Sequence, residues 1–263
     1  MTGASFKYAA FTALSRAMRL AGVPPSPKAG QRVLLYHSVG TKLPKDPYGL
    51  SIEPKRFEEH MDRLVELRAE WPPAPFGAPR PDRLEVAVVF DDGYRDALTT
   101  AAPILAARNI PFTVFVTPGF IRDGSPHHLT REQLKELATV AGAQIGAHGM
   151  RHIRLKKADD AAVSRELMDS RKFIEDVLGR PVTLMSYPHG SADRRVAGLV
   201  RAAGFTAAGT SRFGLNEPGR DPMLLCRNEI LAVDTVELFE LKLRGHWDWY
   251  RWRHRDPAGE ATR

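Results

Sequence analysis

The fold is decided by the stretch Val-Ala-Val-Val-Phe-Asp-Asp-Gly-Tyr, residues 86–94. An uninterrupted apolar run of this kind is typical of a strand that is buried on both faces in a parallel sheet. The run ends in two carboxylates, and since successive side chains point to opposite faces of a strand, Asp91 and Asp92 are expected where the strand opens into a loop. Asp-Gly is also common in ordinary turns, and for an isolated Asp-Asp-Gly that would be the better interpretation. Residues further along the chain favour a functional site instead.

The composition excludes some classes of protein and leaves others open. The 263 residues are enough for one large α/β barrel or two small domains. The single cysteine, Cys226, excludes an intramolecular disulfide and is expected to be buried filler. The net charge of +7 favours anionic partners such as nucleic acid, anionic lipid or phosphorylated sugar carriers. No nucleic-acid recognition motif accompanies this charge, so no nucleic-acid partner is expected.

Apolar runs and helical periodicities alternate along the chain. Strands are predicted at 33–39, 86–90, 112–116, 144–148, 182–187 and 205–209, and helices at 53–68, 97–109, 131–141, 160–178 and 194–203. Thr130 and Gln133 fit a capping box that opens the third of these helices, and Gly179 is the expected stop of the fourth. The alternation predicts an α/β fold with a mainly parallel, barrel-like sheet.

Two histidines, His148 and His152, are four residues apart. On a helical turn this spacing points both rings at one centre, and one carboxylate from the Asp-Asp pair would complete a two-histidine, one-carboxylate metal site. Such sites leave coordination positions open for water and substrate. By itself, His-x-x-x-His is more often two surface histidines. Its coincidence with two acids at a strand end favours the metal site.

These residues carry a resemblance to the polysaccharide deacetylases, the NodB-homology group of carbohydrate esterase family 4. The resemblance rests on the motifs at 90–93, 148–152 and 186–190 and spans roughly residues 33–230. It implies a distorted (β/α) barrel of seven or eight strands, with residues 29–235 as the catalytic domain. It also implies that Asp91 is the general base and that Asp92, His148 and His152 hold a divalent metal. Zinc is the expected metal, with cobalt, nickel and manganese as alternatives.

The third motif departs from the commonest form of this family. Ser186 stands where an arginine is usual, and no late leucine-x-histidine supplies a general acid. The sequence is more similar to the branch with an N-terminal Tyr-His strand, which implies that His37 is the acid, although a lone histidine is by default a core residue. Arg227 is a candidate tether for Asp91 in place of the missing arginine. The third motif, with Tyr187, Pro188, His189 and Gly190, is expected to bind substrate and to offer backbone N–H groups to the oxyanion, with His189 as a second candidate acid or a substrate contact.

The two ends of the chain form separate segments. Residues 1–28 predict a basic amphipathic helix and a proline-rich linker, and residues 236–263 predict a basic, tryptophan-rich helix and tail. For both segments, packing on the domain and contact with a membrane surface are equally good interpretations, and for the second segment an anionic polymer is an alternative to the membrane. Without a recognisable signal peptide or spanning segment, the protein is expected in the cytoplasm, with peripheral contact to the inner membrane.

Taken together, the motifs predict a metal-dependent deacetylase. Its substrate is expected to be the N-acetyl group of N-acetylglucosamine-type sugars in an exopolysaccharide or its lipid-linked precursor. One alternative is a deformylase or deacetylase of a small or lipid-linked sugar. Another is a catalytically silent carbohydrate-binding domain on the same scaffold, against which the retained acids and histidines argue.

Overall fold

Seven parallel strands form the central sheet in a computed structural model that describes residues 3–22, 29–43, 46–68 and 73–253. The nine strands are β1 (Gly30–Tyr36), β2 (Ser38–Val39), β3 (Ser51–Ile52), β4 (Leu84–Phe90), β5 (Phe112–Val116), β6 (Ala143–Ala147), β7 (Leu184–Ser186), β8 (Ala207–Gly209) and β9 (Asn228–Glu229). The order in the large sheet is β8-β7-β6-β5-β4-β1-β9, and β2 and β3 form a separate parallel pair.

The large sheet curls so that its two edges approach one another. Leu225, just before β9, bridges to Gly209 of β8 in parallel orientation. The Leu225 N–H donates to the Ala208 carbonyl at 3.0 Å, and the Thr210 N–H donates to the Leu225 carbonyl at 2.8 Å. The segment from Leu225 to β9 therefore contacts β8 on one side and β1 on the other. This arrangement confirms the predicted distorted (β/α) barrel.

The helices cover the outside of the sheet, and the last four of them begin at side-chain caps. They are α1 (Gly3–Leu20), α2 (Pro54–Leu67), α3 (Ala102–Ala106), α4 (Pro118–Arg122), α5 (Arg131–Leu137), α6 (Asp160–Leu178), α7 (Arg194–Ala202) and α8 (Val236–Leu243). The capping box of Thr130 and Gln133 is confirmed at the start of α5. Gly179, with a φ of 68°, ends α6 as predicted.

One predicted helix is only partly α-helical. Residues 97–109 were expected to form a helix in which Pro103 causes a kink or marks the start, but Ala97–Ala101 is π-helical and only the following α3 has α-helical geometry. Pro103 lies in the first turn of α3, where its missing N–H costs nothing. Because proline cannot donate a backbone hydrogen bond, a continuous helix would lose one bond here. The wider turn just before Pro103 makes that bond unnecessary.

The decisive strand β4 is buried on both faces, as its composition predicts. Val86, Val88 and Phe90 lie in the main apolar cluster between sheet and helices, whereas Ala87 and Val89 lie in a second cluster inside the barrel. Because the strands are parallel, their carboxyl ends meet at one edge of the sheet, which is where sites gather in such folds. The residues that follow β1, β4, β6 and β7 all lie at this edge.

The segments at the two ends of the chain pack on each other and on the barrel. The Phe11 ring of α1 lies 6.4 Å from the buried Trp247 ring and 5.1 Å from that of Trp249. Arg16 of α1 forms a 2.6 Å ion pair with Glu237 of α8. Of the two interpretations left open by the sequence, the described residues thus show packing. Residues 23–28 and 254–263 lie outside the described part of the chain.

Among the described residues, no helix combines the length and the apolar character needed to cross a membrane.

His60 joins α2 to α8 through a buried, neutral imidazole. Its ring stacks on Phe239 at 4.5 Å, its Nε2 lies 3.0 Å from the Asp234 carbonyl, and its Nδ1 lies 3.2 Å from the Tyr36 hydroxyl. Since a carbonyl only accepts, Nε2 carries the proton and Nδ1 accepts from Tyr36. Burial lowers the pKa of His60 to about 4, aided by nearby cations and opposed by Asp234.

This burial makes the stability of the fold depend on pH. The folded pKa of His60 lies below the unfolded value near 6.5, so the unfolded chain binds more protons between these values and stability falls as the pH decreases. We expect His60 to cost about 2 kcal/mol of unfolding free energy between pH 7.5 and pH 5. In His60→Gln, urea titrations at both pH values should show a correspondingly smaller loss than in the wild type. An equal loss in both proteins would show that another group titrates.

Candidate active site

Three metal-ligating side chains converge at the carboxyl edge of the sheet. Asp92 follows β4, and His148 and His152 lie in the loop after β6. Asp92 Oδ1 is 3.4 Å from His148 Nε2 and 3.2 Å from His152 Nε2. All three ligand atoms lie within 4.8 Å of one another. The structure therefore brings together the residues that the sequence assigned to a metal.

The unsatisfied atoms of this cluster fit a divalent cation. Asp92 Oδ1 is buried and makes no hydrogen bond of good geometry with any described residue. His148 Nδ1 lies 2.8 Å from the Ser186 carbonyl, so it carries the proton and leaves the Nε2 lone pair facing Asp92. Two imidazole nitrogens and one carboxylate oxygen are a donor set that zinc and related metals accept.

The loop that carries the two histidines is not helical, so the helical turn expected from their spacing is wrong. Beyond β6 the chain continues without regular structure to His152, and the rings converge because Gly149 and His152 adopt φ values of 70° and 57°. Asp92, with a φ of 69°, is left-handed as well. This conformation costs a non-glycine residue about 1 kcal/mol or more, and such strain is concentrated at functional sites.

A buried carboxylate holds this loop in place. Glu166 of α6 is 1% exposed and accepts from the Arg151 backbone N–H at 2.8 Å and from the Arg151 Nε at 2.7 Å. On the other side, the Gly119 N–H donates to the Met150 carbonyl at 2.9 Å. A Cβ at Gly119 would lie 2.6 Å from that carbonyl oxygen, so the close contact requires glycine.

Asp91 has a different environment from its neighbour Asp92. Its Oδ1 accepts from Arg227 Nη1 at 2.7 Å and its Oδ2 accepts from Ser186 Oγ at 3.0 Å. Burial by itself would raise the pKa of Asp91, but the charges of Arg227 and His148 outweigh it and the pKa is lowered. Asp91 is therefore an ionised carboxylate that is held by protein groups and lies beside the metal cluster.

Arg227 contacts Asp91 from a tightly packed position beside Gly209. Its Nε donates to the Thr210 carbonyl at 2.7 Å, and the side chain is almost completely buried. A Cβ at Gly209 would lie 2.6 Å from Arg227 Cδ and 2.8 Å from its Nε. Glycine at position 209 therefore provides the space in which the guanidinium group is held.

His37 lies directly after β1 and is partly exposed. Its Nδ1 is buried and has no hydrogen-bond partner among the described residues. Its charge helps to lower the pKa values of both Asp91 and Asp92, after the larger effects of burial and of their direct partners. His37 is thus close to the site, and its Nδ1 is not engaged by another described residue.

The turn at 187–190 contributes less than the sequence suggested. Tyr187 is fully buried and donates its hydroxyl to the Met223 carbonyl at 2.8 Å, so its side chain belongs to the core and the expected substrate contact is corrected. The Tyr187 and Gly190 amides bond to the Gly209 and Tyr187 carbonyls, and Pro188 has no N–H. The backbone N–H of His189 remains as the candidate donor of the turn. The exposed His189 ring lies 4.4 Å from that of His152.

Two features of the site were not predicted from the sequence. Ser186 was noted only as a replacement for arginine, but it bonds Asp91 through its hydroxyl and His148 through its carbonyl. A row of rings also extends from the metal cluster: Phe120 lies 6.0 Å from His152, His128 lies 4.3 Å from Phe120, and Tyr94 lies 4.6 Å from His128. Phe120 and His128 lie in the connection between β5 and α5, whereas Tyr94 follows β4 and His152 follows β6, so no local sequence pattern connects all four.

The chain is similar in sequence to known polysaccharide deacetylases. Residues 78–208 match the family model described as polysaccharide deacetylase. YxkH of Bacillus subtilis (strain 168), provisionally named a polysaccharide deacetylase, is 29% identical over 188 residues, or 69% of this chain and 64% of YxkH. The peptidoglycan-N-acetylglucosamine deacetylase PgdA of Listeria monocytogenes is 27% identical over 113 residues, or 43% of this chain and 23% of PgdA.

The fold has a close counterpart among solved structures. The Streptococcus pyogenes deacetylase PplD, determined in complex with acetate, superposes with a TM-score of 0.71 at 21% identity, covering 82% of this chain and 99% of PplD. The fold is thus shared with this deacetylase, while the chain spans less than two thirds of the length of YxkH and less than a quarter of that of PgdA. The chain belongs to the polysaccharide deacetylases, the NodB-homology group of carbohydrate esterase family 4.

The space at Gly209 can be tested by filling it. In Gly209→Ala the added methyl group would displace the Arg227 side chain, which we expect to cost about 1–3 kcal/mol of stability and roughly 10- to 100-fold in deacetylase activity. Gly198→Ala in α7 is the matched control, because a Cβ there meets open space. The control should be as active as the wild type and slightly more stable. Wild-type stability and activity in Gly209→Ala would show that Arg227 needs no such space.

Proposed function

We propose that the protein is a metal-dependent deacetylase that removes the N-acetyl group from N-acetylglucosamine-type sugars in an exopolysaccharide or its lipid-linked precursor. One observation carries the proposal: two adjacent carboxylates have different partners. Asp92 faces two imidazole nitrogens without a hydrogen bond, whereas Asp91 is bonded by Arg227 and Ser186. Such a division suits one carboxylate for metal binding and the other for proton transfer. The names of YxkH and PgdA support the reaction and the class of sugar.

Asp92, His148 and His152 would hold the cation. When bound, a divalent cation supplies Lewis-acid chemistry, lowering the pKa of water and polarising an amide carbonyl. Asp91 is positioned to take the proton from the attacking water, because its low pKa keeps it ionised and its two bonds fix its orientation. The His189 amide is the donor we assign to the oxyanion that forms on the acetyl carbonyl.

Departure of the sugar amine requires a proton donor. His37 is the assigned donor, since it lies at the same edge of the sheet and has an unpartnered Nδ1. The location also belongs to this proposal: we place the protein in the cytoplasm, in peripheral contact with the inner membrane, where a lipid-linked sugar would be accessible. Recovery in the periplasmic fraction would contradict that location.

The roles of the two carboxylates can be distinguished with a matched pair of variants. Asp92→Asn should lose the bound metal, and asparagine tolerates the left-handed backbone at this position. Asp91→Asn should keep the metal and lose roughly 10²–10⁴-fold in kcat, the usual contribution of a general base. Elemental analysis of the purified variants, together with kcat on an N-acetylglucosamine oligomer, measures both effects. A metal-free Asp91→Asn would reverse the assignment, and full activity of metal-free wild type would exclude a metal requirement.

The general acid can be identified through the leaving group. His37→Ala should retain metal and fold but lose turnover on the amide substrate, because an unprotonated amine is a poor leaving group. An acetate ester with a good leaving group should be affected much less. His189→Ala is the control, since its ring also lies beside His152. Equal losses on both substrates, or a selective loss only in His189→Ala, would remove His37 from this role.

A further inference from the structure

A pocket of about 340 Å³ has three arginines among its ten lining residues. Three guanidinium groups line it, those of Arg95, Arg122 and Arg131, together with the hydroxyl residues Ser125 and Thr130. We call this the arginine pocket. Glu132 is its single acidic lining residue. The three cations and one anion give the lining a formal charge of about +2.

The arginines of this pocket lack the acidic partners that arginines elsewhere in the fold have. In the described part of the chain, none of the three forms an ion pair, whereas Arg151, Arg195 and Arg227 each bind a carboxylate. The Arg95 Nε is buried and has no hydrogen-bond partner among the described residues. Arg131 is held over the Phe173 ring, 4.8 Å from its centroid, which leaves its N–H groups available.

The arginine pocket and the metal cluster are adjacent, because residues that line the pocket bond to residues beside the cluster. The Leu129 N–H at the pocket donates to the Gly93 carbonyl at 3.0 Å, next to Asp92, and Ser125 Oγ lies 2.7 Å from His128 Nδ1. His128 belongs to the row of rings that leads through Phe120 to His152. A substrate placed against these rings would therefore have the metal cluster at one end and the arginines at the other.

We propose that the arginine pocket is a subsite for a phosphoryl group carried by the sugar substrate. The inference rests on the proposed deacetylase function and selects, within it, a sugar attached through phosphate or diphosphate. A net lining charge near +2 matches a phosphomonoester or diphosphate better than a single carboxylate. Guanidinium groups bind such oxygens in bidentate fashion.

The test compares the same sugar with and without a diphosphate group. The wild type is assayed on an N-acetylglucosamine trimer and on the same trimer with a reducing-end diphosphate. We expect kcat/KM to favour the diphosphate at least tenfold, and Arg122→Gln/Arg131→Gln to remove most of that preference. Both side chains are exposed, so the fold should tolerate glutamine. Arg165→Gln/Arg180→Gln removes two exposed positive charges elsewhere and should keep the preference, which separates a subsite from general electrostatic attraction.

A binding measurement that does not require turnover completes the test. Calorimetric titration with inorganic pyrophosphate should give a Kd at least tenfold weaker in Arg122→Gln/Arg131→Gln than in the wild type and in the control. Because all three proteins share one metal cluster, binding of pyrophosphate to the metal cancels in the comparison. If the wild type deacetylates neither trimer, the deacetylase proposal fails, and the titration still decides on the arginine pocket. Equal affinities in the three proteins, or equal kcat/KM on both trimers in the wild type, would overturn the subsite.

Discussion

The closeness of two buried carboxylates on adjacent residues is the constraint on which the site and much of the fold depend. Asp91 and Asp92 are 3% and 8% exposed, and like charges so near each other cannot both stay ionised unless cations compensate them. The protein compensates Asp91 itself, through Arg227. It leaves Asp92 facing two imidazoles, where a bound divalent cation would supply the missing charge. The different functions of two identical side chains thus follow from which positive charge each one contacts.

This division of charge ties the chemistry to the closure of the barrel. Arg227 can reach Asp91 only because its segment lies between β8 and β1, with Leu225 bridged to Gly209 and β9 paired to β1. A guanidinium group that is buried at this depth needs its other donors satisfied, and the Thr210 carbonyl accepts from its Nε. The loss of the usual third-motif arginine is therefore compensated from a distant part of the chain. Ser186 stands at the position of that arginine and donates to Asp91 through its smaller hydroxyl group.

The parts of this arrangement that the sequence predicted are those with a local physical signal. The apolar run at 86–90 must be a buried strand, and polar residues after it must lie at the strand end. The loop of His148 and His152 was assigned wrongly, because a spacing of four residues brings two rings together both on a helix and in a loop with left-handed residues. The turn at 187–190 was expected to offer its backbone N–H groups, but a motif does not show which of these are already bonded, and those of Tyr187 and Gly190 are. The Arg227 contact was inferred from what the third motif lacks, and Ser186 was missed because its partners are distant in sequence.

The positive charge of the chain illustrates why composition says little about partners until the contacts are known. A net charge of +7 is compatible with nucleic acid, lipid or a phosphorylated sugar. In the structure many cations already have partners: Lys242 is buried against Asp234, Arg32 is bonded to Asp248, and Arg227 is bonded to Asp91. These charges stabilise the fold and are not available to attract a ligand. The arginine pocket differs from these positions because its arginines have no carboxylate partners among the described residues. It therefore favours an anionic substrate over general attraction by a basic surface. An anion that binds there must fit a pocket that adjoins the candidate active site.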